Sequence, residues 1–592
     1  MQPNQTTRTL QFASLTLATA LTAACVDQPN HTLEKTTSAY PKDKDAEQEH
    51  TPKHPRLEST ETSAAANKVA ADIAVKGKPR MQRSIAFHEV ALTDSLASAP
   101  AYRMHIQQPQ ITDRENYLHY EDNGVKQVRQ EPVSTFSIDV DTAAYANVRR
   151  MISQEGRLPP ADAVRLEELI NYFSYSYAPP SSQDQPFSIH TELAPAPWSA
   201  QHKILQIGLK GFEPQVDERP AANLVFLVDV SGSMQAQNKL ALVKKSLRLL
   251  VNRMNASDRI ALAVYAGAAG TVLESTPGDQ KAKILAAIDG LQAGGSTHGS
   301  AGIKLAYQLA EQHRIEGGIN RVLIASDGDM NVGTVSIDAL KSLITKKREK
   351  GIALTTLGYG SGNYNYALME QLADVGDGNA AYIDSMKEAQ KVLVNEMQST
   401  LHTIASDVKI QVEFNPELVS EYRLIGYENR MLNREDFNND KVDAGDIGAG
   451  HTVTALYEVV LTGSGGERID PLRYGKKANA TALDDKVHSR AEELAFVKLR
   501  YKTPGEKKSK LVTQAIHADS MLASIERGTD NLRFAASVAG FGQILKGGNF
   551  TGSWGYADAL TLARSSRGDD AHGYRSEFLH LIELAQSLSS GS

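Results

Sequence analysis

The stretch that most constrains the fold runs from Leu224 to Met234 and reads LVFLVDVSGSM. Its first five residues are apolar, which is typical of a strand covered on both faces in a parallel sheet. Asp229, Ser231 and Ser233 follow, so one carboxylate and two hydroxyls lie in a single turn. Such oxygen donors suit a hard divalent cation such as Mg²⁺, which proteins usually hold with few carboxylates plus waters. The stretch therefore predicts a strand that ends in a cation-binding loop.

Two later loops offer further oxygen ligands. Thr297 lies in the glycine-rich segment 294–299, and Asp327 directly follows the apolar strand pattern at 321–326. Each donor falls where a predicted strand ends or a helix begins. In a doubly wound sheet these points share one edge, the crevice beyond the carboxyl ends of the strands. We therefore expect the donors of all three loops to meet there.

Asp229, Ser231, Ser233, Thr297 and Asp327 together fill every position of a pattern that resembles the metal-ion-dependent adhesion site of von Willebrand factor A domains. The resemblance implies that the serines and the threonine bind Mg²⁺ or Mn²⁺ directly. It implies that the aspartates act largely through water or hydrogen bonds. It also implies that an Asp or Glu of a protein partner replaces an exchangeable water on the cation.

Strand and helix patterns alternate across residues 203–403, which predicts an α/β fold, a doubly wound and mostly parallel sheet of the A-domain type. The runs SIDVDTAAYANVRR at 137–150 and EELINYF at 167–173 resemble the N-terminal region of YfbK-like bacterial proteins. We assign residues 131–200 to that segment and 404–592 to a YfbK-like C-terminal domain, an antiparallel sheet followed by helices.

More detailed expectations concern the flanking regions. Asp141 is predicted to cap a helix that runs to about Gln154. Further helices are expected at 387–401, 511–527, 531–545, 556–565 and 574–588. Because strand patterns precede and follow the A domain, we expect it to be inserted into a β-sheet whose edge is supplied by residues 186–194.

The N-terminus has the features of an export signal. Residues 1–24 contain an apolar run that is too short to span a bilayer and ends in small residues. The sequence LTAAC at 21–25 resembles a bacterial lipobox, with Thr22 where leucine is more usual. The resemblance implies a lipid on Cys25 that anchors the chain to a membrane of the cell envelope. Residues 25–130 are polar and poor in aromatics, which predicts a disordered tether.

Composition and motifs exclude several other classes of protein. The net charge of −7, from 63 basic and 70 acidic residues, gives no electrostatic basis for binding nucleic acid. The single cysteine excludes an intrachain disulfide. The glycine-rich loop at 358–362 lacks the last glycine of a dinucleotide fingerprint, where Asn363 stands, so we expect no nucleotide. At this place in an A domain the loop is expected to shape the rim of the metal site.

These observations favour a non-enzymatic protein of the bacterial cell envelope that binds a protein partner, as an adhesin or scaffold, through a divalent cation. Two alternatives stay open. A metal-assisted hydrolase would use the same cation, but the sequence places no His or Glu as its general base. A structural scaffold would use the metal only to stabilise the fold.

Overall fold

The computed structural model describes residues 115–182, 184–213, 220–296, 299–328, 336–396, 399, 401–470 and 492–590. The predicted export signal, Cys25, Thr297 and residues 25–114 of the predicted tether lie outside the described residues. Within the described ranges, no helix combines the length and the apolar character needed to cross a bilayer.

Before the central sheet, residues 115–213, apart from residue 183, form four strands and two α-helices. They are β1 (Lys126–Gln127), β2 (Val133–Ser137), α1 (Ala143–Ser153), α2 (Leu166–Asn171), β3 (Phe187–Ala196) and β4 (Ser199–Gly211). The expectation that the tether extends to residue 130 is wrong for residues 115–130. Glu115 forms an ion pair of 2.7 Å with the buried Arg150 of α1, which fixes this part of the chain against the fold.

Six strands form the central sheet. They are β5 (Ala222–Asp229), β6 (Arg259–Tyr265), β7 (Ala269–Pro277), β8 (Ile319–Ser326), β9 (Ala353–Tyr359) and β10 (Ala380–Ile383), in the spatial order β10-β9-β8-β5-β6-β7. Every neighbouring pair is parallel except β6 and β7. The predicted α/β fold with a mostly parallel sheet is therefore confirmed, whereas the antiparallel edge strand β7 was not expected.

Helices cover both faces of this sheet. They are α3 (Leu240–Arg253), α4 (Lys281–Asp289), α5 (Gly299–Gln312), α6 (Ile337–Arg348), α7 (Tyr366–Val375) and α8 (Met386–Gln390). All eight residues of β5 are buried because alternate side chains enter two separate cores. Leu224, Phe226 and Val228 pack with α3 and α4, whereas Val225 and Leu227 pack with α5, α6 and α7.

After the central sheet, the described residues form six strands and three long helices. They are β11 (Thr403–Phe414), β12 (Val419–Ile425), β13 (Gly445–Gly448), β14 (Thr452–Leu461), β15 (Glu493–Lys502), β16 (Lys510–His517), α9 (Asp530–Leu545), α10 (Tyr556–Ser565) and α11 (Tyr574–Ser590). The helices α9, α10 and α11 agree with the expected ranges. They pack with α1 and α2 around the rings of Tyr145, Phe173, Phe534 and Phe578.

Two flanking sheets combine strands from both sides of the central sheet. One has the order β1-β12-β14-β4-β3, and the other has the order β13-β11-β15-β16 with β2 paired to β11. Apolar side chains of both sheets share one core, as in a β-sandwich. The predicted insertion is confirmed, because β3 lies at a sheet edge and pairs with β4, which in turn pairs with β14.

Three local predictions are wrong. Residues 510–517 form strand β16, not the start of a helix, because Val512, Thr513 and Ile516 favour a strand and the free edge of β15 pairs with it. Asp141 does not cap α1; its Oδ1 accepts a hydrogen bond of 2.7 Å from the backbone N–H of Ala380. The helix expected at 387–401 is interrupted: α8 passes into one π-helical turn that ends at residue 395, and residues 399 and 401 are again helical.

Two buried carboxyls, Glu168 of α2 and Glu370 of α7, lie close enough for the charge of Glu168 to act on Glu370. Glu168 accepts hydrogen bonds from the backbone of Ala144 and from the hydroxyl of Tyr366. Glu370 accepts one from the side-chain amide of Asn429. Burial, followed by the charge of Glu167, raises the pKa of Glu168 to about 7. Burial, followed by the charge of Glu168, raises the pKa of Glu370 to about 8.

Replacing Glu370 with glutamine should flatten the dependence of stability on pH. The native state keeps protons that the unfolded chain loses above its ordinary pKa of 4.5, so these carboxyls make stability fall as pH rises toward 8. The slope from one such group is at most about 1.4 kcal/mol per pH unit. Urea unfolding between pH 5 and pH 8 measures it. Glu417→Gln, at an exposed position, is the control, and equal slopes for both variants would contradict the expectation.

Candidate metal centre

The turn after β5 arranges the first three predicted ligands. Asp229 ends the strand and is fully buried. Its Oδ1 accepts a hydrogen bond of 2.8 Å from the backbone N–H of Ser231, and its Oδ2 accepts one of 3.2 Å from the hydroxyl of Ser326. The hydroxyl oxygens of Ser231 and Ser233 lie 3.0 Å apart. One carboxylate and two hydroxyls are thus held together by the short loop.

The glycine-rich loop after α4 contacts this turn through its backbone. The N–H of Gly232 donates to the carbonyl of Gly295 at 3.0 Å, and the N–H of Gly294 donates to the carbonyl of Val230 at 2.7 Å. Gly295 has a φ of +91°, which favours glycine at this position. These bonds bring the segment immediately before Thr297 beside the two serines. The predicted role of Thr297 itself falls outside the described residues.

Asp327 follows β8 and is also fully buried. The Ser233 side chain lies close enough to help lower the pKa of Asp327, which places Asp327 beside the turn after β5. The Oδ2 of Asp327 lies 2.8 Å from the Nζ of Lys239 and accepts a hydrogen bond of 3.2 Å from the amide of Asn363. The structure therefore brings together Asp229, Ser231, Ser233 and Asp327 at the carboxyl edge of the sheet.

The two aspartates differ in their electrostatic surroundings. Burial raises the pKa of Asp229, and the charge of Asp327 adds to this, while hydrogen bonds from Ser231 oppose it. Burial acts on Asp327 in the same direction, but the hydrogen bond and charge of Lys239 outweigh it and lower the pKa. Among the described residues, no basic side chain forms an ion pair with Asp229.

This donor set fits a hard divalent cation. A buried carboxylate without a basic partner is costly, and a bound cation would supply the missing charge. The neutral hydroxyls of Ser231 and Ser233 are oxygen donors of the type that Mg²⁺ accepts beside water. Asp229 and Asp327 stand next to these hydroxyls, where they can orient waters or hydroxyl protons around an ion.

Sequence patterns did not reveal Lys239 and Asn363 as parts of the site. Lys239 immediately precedes α3, and its Nζ donates to Asn363 Oδ1 at 2.9 Å. Asn363 follows the glycine-rich loop at 358–362, which the sequence places at the rim of the site. The contact between Asn363 and Asp327 confirms that placement. The glycines of this loop were the sequence feature that could have indicated a closely packed neighbour, because Gly360 packs against the Lys239 side chain.

Replacing Gly360 with alanine should destabilise the site by displacing Lys239. A Cβ at position 360 would lie 2.4 Å from the Cε of Lys239, and the φ of +78° adds backbone strain. Gly351→Ala is the matched control, because its φ is +77° and its nearest atom lies 3.6 Å away. We expect Gly360→Ala to cost more unfolding free energy than the control, by about 1–3 kcal/mol. Equal losses in urea unfolding would show that the contact with Lys239 does not matter.

Three sequence models of known families match the chain. The von Willebrand factor type A domain matches residues 223–396, and a model described as von Willebrand factor matches residues 111–206. The model described as Uncharacterized protein YfbK, C-terminal, matches residues 399–588. The central sheet and the four candidate ligands described above thus lie within or at the edge of the A-domain match, and β11–β16 with α9–α11 lie within the YfbK match, apart from the last residues of α11.

Individual proteins are also similar to this chain, to different extents. Uncharacterized protein YfbK of Escherichia coli K12 is 46% identical over 498 residues, which cover 83% of this chain and 84% of that protein. Human inter-alpha-trypsin inhibitor heavy chain H3 is 26% identical over 266 residues, covering 42% of this chain and 29% of that protein. The solved structure of a von Willebrand factor type A protein from Catenulispora acidiphila has 14% identity and a TM-score of 0.38, covering 66% of this chain and 89% of that one. The 46% identity to YfbK over most of both chains, with the A-domain match, shows that the chain belongs to the YfbK family of proteins with a von Willebrand factor A domain.

Proposed function

We propose that this protein binds an acidic side chain of a partner protein through a divalent cation at the metal centre, as an adhesin or scaffold of the bacterial cell envelope. One observation carries the proposal. Asp229 is fully buried, has no basic partner among the residues that the structure describes, and stands beside two hydroxyls 3.0 Å apart, at the edge where sheets of this type bind ligands.

The chemistry follows from which ligands are neutral. The hydroxyls of Ser231 and Ser233, with that of Thr297, would hold Mg²⁺ or Mn²⁺ without cancelling its charge. When bound, the cation supplies positive charge and an exchangeable coordination position. Asp229 and Asp327 would orient the surrounding waters from one layer farther out. A carboxylate from a partner is the group that suits the remaining position, because it is both negative and an oxygen donor.

Capture of a partner from envelope extract tests this proposal. Immobilised wild-type protein is incubated with extract in Mg²⁺ and again in excess EDTA, beside Asp229→Ala and the control Asp289→Ala. Asp289 is an exposed residue of the same domain that pairs with Arg248. We expect capture by the wild type and the control in Mg²⁺ alone, and no capture by Asp229→Ala. Capture that persists in EDTA would contradict the proposal, and a loss of thermal stability without any capture would favour the scaffold alternative.

We further propose that Cys25 carries a lipid and that the chain is held at a membrane of the envelope. The support is the apolar segment before Cys25 and the LTAAC sequence that ends in it. Membrane fractionation of Cys25→Ser tests it. The variant should leave the membrane fraction, whereas equal retention of both proteins would overturn the lipid anchor.

A further inference from the structure

Lys239 is a cation built into the metal centre. Its side chain is buried, with 8% of the residue exposed. Its Nζ lies 2.8 Å from Asp327 Oδ2 and 2.9 Å from Asn363 Oδ1. The close packing of Gly360 against the aliphatic part of the lysine leaves little room for another position of the chain. The ammonium is therefore fixed on Asp327.

The charge of this ammonium contributes to the total charge of the site. Asp229 and Asp327 carry two negative charges, and Lys239 carries one positive charge, so the protein groups sum to −1. A divalent cation brings the total to +1. Without Lys239 the loaded site would be neutral, and a carboxylate would gain far less from approaching it.

We propose that Lys239 is the residue that determines ligand specificity at this site: by neutralising Asp327 it keeps the loaded centre positive, so that the centre accepts one carboxylate. This inference rests on the proposed function. Lys239 also opposes the metal, because like charges repel across the same buried site. The lysine thus weakens cation binding and strengthens the capture of an anion.

A merely structural lysine would behave differently. If Lys239 only compensates the buried charge of Asp327, its removal should lower the stability of the metal-free protein and leave the response to anions unchanged. If Lys239 instead sets the charge of the site, its removal should tighten the binding of the divalent cation and weaken the binding of the carboxylate. The same role also predicts that removing both charges of the pair, in Lys239→Met with Asp327→Asn, restores the wild-type total of +1 in the loaded site.

Calorimetric titration of MgCl₂ into the full chain separates these possibilities. Each protein is titrated in sodium chloride and in sodium acetate of equal ionic strength, with acetate as the carboxylate probe. Lys245→Met is the control, since Lys245 is an exposed residue of α3, the helix that Lys239 immediately precedes. Thermal unfolding in EDTA verifies that each variant is folded and reports the stability of the metal-free site.

We expect acetate to tighten Mg²⁺ binding to the wild type and to Lys245→Met. Lys239→Met should bind Mg²⁺ about tenfold tighter in chloride and show no effect of acetate. The double variant should regain the acetate effect and an affinity within about threefold of the wild type. If Lys239→Met does not fold, the double variant decides the matter by the same criterion.

Three results would overturn the inference. Lys239→Met could bind Mg²⁺ no tighter than the wild type, it could still respond to acetate, or the double variant could fail to regain the acetate effect. A wild type that binds Mg²⁺ but ignores acetate would overturn the inference and leave the metal centre in place. A wild type that binds no Mg²⁺ in either buffer would overturn the proposed function together with it.

Discussion

Replacing Arg149 with methionine is expected to lower the free energy of unfolding by about 3–5 kcal/mol, because it leaves buried carboxylates without their counter-charge. Arg149 lies in α1 and contacts three carboxylates. Its guanidinium binds both oxygens of Asp384, lies 2.9 Å from Glu388 and lies 3.0 Å from Glu577. It also donates to the hydroxyl of Tyr172 at 2.8 Å. One side chain thereby joins the N-terminal segment, the A domain and the last helix.

Urea unfolding of Arg149→Met measures this effect. Arg248→Met is the matched control, because Arg248 forms an ion pair with Asp289 at the surface, where such a pair contributes about 0–1 kcal/mol. Arg149→Lys keeps a charge but loses the planar group that reaches several acids at once, so an intermediate loss is expected. Losses of equal size for Arg149→Met and Arg248→Met would show that the buried cluster does not hold these regions together.

Magnesium at about one hundred times its dissociation constant should raise the unfolding free energy of the wild type by about 2.7 kcal/mol. Asp229→Asn should lose this stabilisation, because the variant lacks the buried negative charge that a cation compensates. The measurement is chemical unfolding of both proteins with and without Mg²⁺.

In EDTA, Asp229→Asn is not expected to be less stable than the wild type. Burial and the charge of Asp327 raise the pKa of Asp229, so a neutral amide at this position removes an unfavourable charge from the metal-free protein. We expect Asp229→Asn to be as stable as the wild type in EDTA or more stable. Asp289→Asn controls for a carboxylate lost elsewhere on the domain. A large loss of stability in EDTA would mean that Asp229 serves the fold and not a cation.

The sequence was sufficient to predict the central sheet and the proximity of four of the five candidate ligands. The apolar run before Asp229 and the similar run before Asp327 mark buried parallel strands, and parallel strands end at the same edge. Because the ligands follow these strands directly, their meeting point could be inferred without any contact information. The proximity of Asp229 and Asp327, whose charge helps to raise the pKa of Asp229, agrees with that rule.

Other features depend on tertiary contacts that no local pattern contains. Lys239 and Asn363 are 124 positions apart in the chain and meet only because their loops reach the same edge. Aspartate is a residue type that often caps helices, but the Asp141 carboxylate instead binds the backbone N–H of Ala380 and the guanidinium of Arg430. Strand β16 forms because it pairs with the edge of β15 that β11 does not occupy. The propensities of its residues alone did not decide between strand and helix.

The most direct test of the central claim is the anomalous scattering of crystals soaked in Mn²⁺. We predict a peak within coordination distance of the hydroxyl oxygens of Ser231 and Ser233, beside Asp229 and Asp327, which disappears in crystals of Asp229→Ala. A peak at this place in the variant, or manganese bound only elsewhere on the wild-type protein, would contradict the account.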